Sequence, residues 1–167
     1  MDRATYRELA GAFPSGVTIV TTIDVDGTPR GLTSQAFIGL SSEPPLVLVS
    51  LDRSSRTLAV LRETGRFVVN VLKAGSEDLS TRFATKADDK FAGVQWIPSS
   101  VARGAPILID AVTAFIECTI ADISEGGDHV MVIGSVDGGR LVGGPPLLYY
   151  HRTYAAWPEE KPAPPVL

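Results

Sequence analysis

LVLVSLDRSSRTLAVLRETGRFVVNVL (residues 46–72) is the stretch on which the fold turns. An apolar run ends abruptly in hydroxyls and arginines, a helical pattern follows, and a second apolar run begins. Residues 46–51 form a continuous apolar run that reads as a buried strand. Leu58 and Leu61 fall at helical spacing across 54–65. Ser54 or Ser55 suits the N-cap, and Gly65 stands where a C-terminal glycine belongs. FVVNVL (67–72) is another strand. A strand that leads through a helix into the next strand allows one parallel crossover.

Upstream, Tyr6, Leu9, Ala10 and Phe13 share helical spacing, and Pro14 with Gly16 stops that helix. VTIVTTID (17–24) is rich in β-branched residues, and Asp26-Gly27 marks a hairpin. The return arm RGLTSQAFIGLS (30–41) alternates as one strand, with Ser34, Ala36, Ile38 and Leu40 on one face. Pro44-Pro45 breaks it. Downstream, residues 76–84 form a short helix and 85–105 are irregular. A long strand lies within 107–123, with Ala114, Ile116, Cys118 and Ile120 on one face. EGGD (125–128) turns the chain into a strand over 129–136, and LLYYHR (147–152) is the last strand. Six or seven strands, mostly joined by hairpins, with two or three short helices predict a mainly β protein, an antiparallel barrel with helical decoration. The reading gives a single domain over residues 1–157 and a Pro-rich tail, 158–167, extended or disordered.

The 167 residues suffice for one core. A net charge of −4 provides no basic field for nucleic acid. No apolar run reaches the roughly 18–20 residues of a membrane span. The N-terminus mixes acids and bases and lacks the apolar stretch of a signal peptide. Cys118, the single cysteine, cannot form an internal disulfide, and together these features predict a cytoplasmic protein.

Two stretches carry candidate chemistry. Ser50, Ser54, Ser55 and Thr57, with Arg53 and Arg56, sit where a strand opens a helix. Hydroxyls, free backbone N–H groups and the helix dipole there make an anion cradle fit for a phosphate. The competing reading is that Ser54 caps the helix and the arginines are solvated. In GLTSQAF (31–37), Thr33, Ser34 and Gln35 are polar within a strand able to bury a face. Unpaired, each costs about 1–3 kcal/mol. A flat heterocycle with its own donors and acceptors can pair with them; so can water, if the strand is an edge. Asn70 interrupts an apolar strand and reads as a tie to a nearby turn. His129, after Gly126-Gly127-Asp128, and His151 each read as structural or functional, and Cys118 as core. No dinucleotide fingerprint, phosphate-binding GK[ST] loop, nucleophile elbow or zinc set occurs. A site poor in acids, bases and nucleophiles leaves the chemistry to a bound cofactor.

Eight blocks stand in order: FPSGVTIVTT, GLTSQAF, PPLVLVSLDRSSRT, FVVNVL, LSTRFA, DKFAGV, GGDHVMVIGSV and LLYYHR. Over about residues 6–154 they resemble the short-chain flavin reductase family, the reductase components of two-component flavin-dependent monooxygenases. The resemblance implies an FMN-binding split β-barrel, Greek-key-like, and a homodimer with flavin near the subunit interface. It implies hydride transfer from nicotinamide C4 of NADH or NADPH to N5 of FMN or FAD, supplying reduced flavin to a partner monooxygenase. Carried over, Thr33, Ser34, Gln35 and Ala36 line the isoalloxazine ring. Ser50, Leu51, Ser54, Ser55 and Thr57 hold the ribityl chain and phosphate, with Arg56 assisting. Asn70, Phe83 and Lys90 match further flavin contacts, His129 lies by the nicotinamide as the catalytic candidate, and Pro14 and Tyr154 neighbour that pocket. The chain departs from the family at QAF, where many relatives have Asn-Ser-Phe, and around YYHRTYAAW. The alternatives are a non-catalytic flavin-binding or storage protein and an oxidase on the same barrel.

Overall fold

The computed structural model describes residues 1–157; the tail read as Pro-rich, 158–167, lies outside the described residues. Helix α1 (Arg3–Gly11) is followed by β1 (Ser15–Gly16), β2 (Thr18–Ile23), β3 (Pro29–Ser34), β4 (Phe37–Ser42) and β5 (Pro45–Asp52). Then come α2 (Arg56–Thr64), β6 (Arg66–Leu72), α3 (Glu77–Ala84), and two short strands, β7 (Ile97–Pro98) and β8 (Pro106–Ile107). The long hairpin β9 (Val112–Gly126) and β10 (His129–Leu141) precedes β11 (Leu147–Tyr150) and β12 (Thr153–Ala156).

Seven strands form one sheet in the order β3-β2-β6-β9-β10-β5-β4, every neighbouring pair antiparallel. The mainly β, antiparallel expectation therefore holds. The parallel crossover does not: the β9–β10 hairpin lies between β5 and β6, so the chain leaving β5 through α2 returns with two strands intervening, and antiparallel. No backbone ladder joins the edge strands β3 and β4 among the described residues, so the sheet is not a closed barrel.

The stretch read as one strand over 30–41 is two. It leaves β2 at Ser34, turns at Gln35-Ala36, and begins pairing with β5 at Phe37 opposite Val49. The uniform alternation expected across it is therefore broken. The corner is held by side chains and backbone together. Thr18 Oγ1 donates to Ser34 O (2.7 Å), Ser34 Oγ donates to Ser50 O (3.2 Å), and Ser50 N–H donates to Ala36 O (2.9 Å).

Strand β5 is buried on one face only, through Val47, Val49 and Leu51. These pack with Val20, Leu58, Leu61, Phe67, Val69, Cys118, Val130 and Val132 into the main core. Helix α2 is placed by this contact: Ser55 caps it, its Oγ accepting from Leu58 N–H, and Gly65 ends it at φ +67°. A second cluster, Val17, Ile19, Leu72, Phe83, Leu108, Val112 and Leu147, ties α3 and β11 to the other side of β2. The last strand ends earlier than expected. His151 and Arg152, both at positive φ, turn the chain into β12, which pairs back on β11. Helix α1 forms as expected, with Asp2 as N-cap, yet Tyr6 and Leu9 on it and Phe13 just beyond its end stay exposed.

Gly134 lies where the β9–β10 register shifts. A Cβ there stands 2.5 Å from Phe67 Cζ and 3.0 Å from Cys118 Cβ, both fully buried. Gly134→Ala is expected to lower the unfolding free energy by about 1–3 kcal/mol in urea titrations, the cost of overpacking a filled core.

Candidate active site

A cleft of about 780 Å³ opens beside the β3–β4 corner. Its walls are β3, the end of β5 with the start of α2, α3 with the segment that follows it, and the first residue of β10. Thr33, Ser34, Gln35, Ala36, Ser50, Ser54, Ser55, Arg56, Thr57, Phe83, Lys90, His129 and Tyr154 of the candidate residues line it; Leu51, Arg53, Asn70 and Pro14 do not.

Leu51 and Asn70 serve the framework. Leu51 points the other way along β5 and is buried in the main core. Asn70 is fully buried; its Nδ2 donates to Ile19 O (3.2 Å), Thr21 Oγ1 (3.0 Å) and Pro106 O (3.3 Å), and its Oδ1 accepts from Leu108 N–H (2.8 Å). Its hydrogen-bonding capacity is spent on β2 and the 106–108 segment, so it is a tie to a turn and not a lining group.

At the mouth of α2 the donors are largely unspent. Among the described residues, the N–H groups of Arg56 and Thr57, in the first turn of the helix, have no internal acceptor. The side chains of Gln35, Ser50 and Thr57 likewise make no internal hydrogen bond there. Ser54 is committed instead: its N–H and Oγ both donate to Asp52 Oδ1 (2.7 Å each), which holds the Asp52 carboxyl below the usual carboxylate range. Free N–H groups at a helix start, beside hydroxyls, fit an anionic group, and the adjoining corner fits a polar heterocycle.

Arg56 reaches across the cleft. It pairs with Asp88, and its Nη2 donates to Lys86 O (2.6 Å). Lys90 Nζ donates to Phe83 O (2.9 Å) and Gly31 O (3.2 Å). Burial, and secondarily the charge of Arg56, lowers the Lys90 pKa below the ordinary lysine value. Phe83 lies flush on Gly31, where a Cβ would meet its ring at 2.8 Å. Thr33 Oγ1 donates to Ser80 O (2.6 Å) and Tyr154 OH to Ser80 Oγ (3.0 Å), binding β3, α3 and β12 into one wall. On the opposite side, His129 Nδ1 lies 2.7 Å from Asp128 Oδ1, and this contact lowers the Asp128 pKa.

Sequence reasoning missed Asp52, Lys86, Asp88, Phe91 and Tyr149 as lining residues. Asp52 sits within the quoted stretch, where its Asp-x-Ser spacing to Ser54 was a usable signal. The segment 85–91 has no periodicity, and no local signal places it over α2.

The family model described as flavin reductase like domain matches residues 10–158. The chain is 46% identical to the flavin reductase (NADH) of Kitasatospora aureofaciens, over 96% of this chain and 85% of that one. It is 41% identical to the reductase subunit of a flavin-dependent monooxygenase from Mycobacterium tuberculosis, over 98% and 87%. Its structure superposes with a TM-score of 0.88 on the NADH:FAD oxidoreductase of Streptomyces globisporus, solved in complex with NAD and FAD fragments, at 31% identity, covering 95% of this chain and 94% of that one.

The division between framework and lining has a direct check. Asn70→Ala, which strands Leu108 N–H in the core, is expected to lose about 1–3 kcal/mol in urea unfolding. Gln35→Ala, at an exposed lining position, is expected to change stability by no more than about 0.5 kcal/mol.

Proposed function

The chain belongs to the flavin reductase-like family, and from that premise we propose that it is an NADH-dependent flavin reductase acting on FMN or FAD in this cleft. The observation that carries the reading is the convergence on one cavity of unspent phosphate-type donors, a polar corner and His129. Residues 1–157 act as one domain.

The first-turn N–H groups of α2 bind the phosphate, with Ser55 and Thr57 beside them. Ser50 and Thr57 hydroxyls take the ribityl chain. Thr33, Ser34, Gln35 and Ala36 line the ring, and their backbone donors stabilise negative charge that grows on it. Phe83 and Lys90 support β3 beneath it. His129 orients the nicotinamide and moves no proton. Held by these residues, flavin would supply the redox chemistry, serving at N5 as acceptor of the hydride from nicotinamide C4 of NADH, which becomes NAD⁺, with one further proton from solvent completing the two-electron reduced form.

Flavin is released to a partner monooxygenase, which calls for affinity near the micromolar range, about −8 kcal/mol. The Arg56–Asp88 pair serves that need. Asp88 occupies the guanidinium that a phosphate would otherwise engage, so the phosphate must compete with a resident carboxylate. A homodimer covers the exposed apolar residues Tyr6 and Leu9 on α1, Phe13 just beyond it, and Ile38 and Leu40 on the edge strand β4. The single cysteine and the use of NADH support a cytoplasmic location.

Mixing the protein with NADH and adding FMN or FAD is expected to produce flavin-dependent loss of NADH absorbance. Flavin binding with no NADH loss would overturn the reading in favour of a carrier. His129→Ala is expected to raise the NADH KM roughly three- to tenfold, the worth of about one hydrogen bond, while moving the FMN Kd little. Asp88→Asn is expected to tighten FMN binding several-fold in fluorescence titrations; unchanged or weaker binding would count against the competition.

A further inference from the structure

The turn that carries His129 is an exposed hairpin tip, Gly127-Asp128, with Gly127 at φ +70°. Left to itself such a tip is mobile, because only the strand pairing behind it holds it. One residue outside the cleft holds both of its carbonyls. Arg53 N–H donates to Asp128 O (3.0 Å), and Arg53 Nη2 donates to Gly127 O (2.8 Å). The same Nη2 lies 2.7 Å from Glu125 Oε2, and Glu125 Oε1 accepts from Arg62 Nη2 (3.0 Å). Arg62 is in the last turn of α2. The tip is therefore fastened at three points to the end of β5 and, through Glu125, to the helix whose other end forms the anion cradle.

We propose that Arg53 is a positioning residue for the nicotinamide: by clamping Gly127 and Asp128 it fixes where His129 stands in the cleft. The inference rests on the reading of His129 given above. Asp128 is the link, since its carboxylate is hydrogen-bonded to the imidazole, so a tip that shifts carries the ring with it. Arg53 is not among the residues lining the cleft and is half-exposed, so its influence on the donor runs through the turn. If only a fraction of molecules hold the competent turn, the apparent affinity for the donor falls by that fraction, whereas turnover at saturation and flavin binding do not.

Arg53→Ala, Arg53→Lys, His129→Ala and the double variant Arg53→Ala/His129→Ala separate the possibilities. Steady-state kinetics read the NADH KM and kcat at saturating FMN, and fluorescence titration reads the FMN Kd. For Arg53→Ala the NADH KM is expected to rise roughly three- to tenfold, with kcat held within about twofold and the FMN Kd unmoved. Arg53→Lys, which restores one cation without the fork, is expected to recover part of the loss. The double variant is expected to be no worse than His129→Ala alone, because both act through one group. An NADH KM at the parent value in Arg53→Ala, while His129→Ala raises it, would overturn the positioning role alone. A FMN Kd that shifts as much as the NADH KM would show a general structural role and overturn it too. An NADH KM that His129→Ala leaves untouched would remove the reading of His129, and the inference about Arg53 with it.

Discussion

The hydrogen bonds between the Ser34–Ala36 corner and Ser50 are the constraint on which the cleft depends. They let the chain step from one edge of a seven-stranded sheet to the other in two residues. Strand β3 pairs with β2 at one edge and β4 with β5 at the other, so the corner between them must cross the gap. Its backbone is thereby diverted from a ladder, and its polar groups face a cavity beside the opening of α2. The cost of breaking a strand is offset by four paired groups: Thr18 hydroxyl, Ser34 hydroxyl, Ser50 N–H and Ala36 carbonyl.

Around that corner the protein divides its polar residues by whether their bonds are spent. Asn70, Thr21 and Thr18 are buried and saturated, and they shape the walls from behind. Gln35, Ser50 and Thr57 line the cleft with capacity to spare. Arg56, Asp88 and Lys90 stand between, each engaged by a neighbour that a ligand can replace or keep. A cleft built this way favours binding that is specific in shape and moderate in strength, as a reductase that hands its flavin onward requires.

Much of the framework was legible in the residues. The Asp26-Gly27 hairpin, the Gly65 terminus and the run FVVNVL are local signals that appear where their chemistry puts them, and of the two offered caps, Ser54 and Ser55, the structure uses Ser55. The grouping of hydroxyls and free N–H donors at the start of α2 was legible for the same reason, since a strand ending in hydroxyls at a helix start is a local arrangement. Asn70 illustrates the limit. A polar residue in an apolar strand announces that it has a partner, but not whether that partner is a ligand or the 106–108 segment lying behind it.

By itself the sequence determined most of the elements, the donors at the start of α2 and the family likeness, because those follow from periodicity, capping and ordered motifs along the chain. Tertiary structure alone decided that β5 and β6 are separated by the β9–β10 hairpin and that the strand over 30–41 breaks at Gln35-Ala36. It alone brought Asp88 to Arg56 and the Gly127 turn to Arg53. These contacts join residues 32 and 74 positions apart. No local preference encodes them; they exist because burial of Leu58, Phe67 and Phe83 fixes where α2, β6 and α3 must lie.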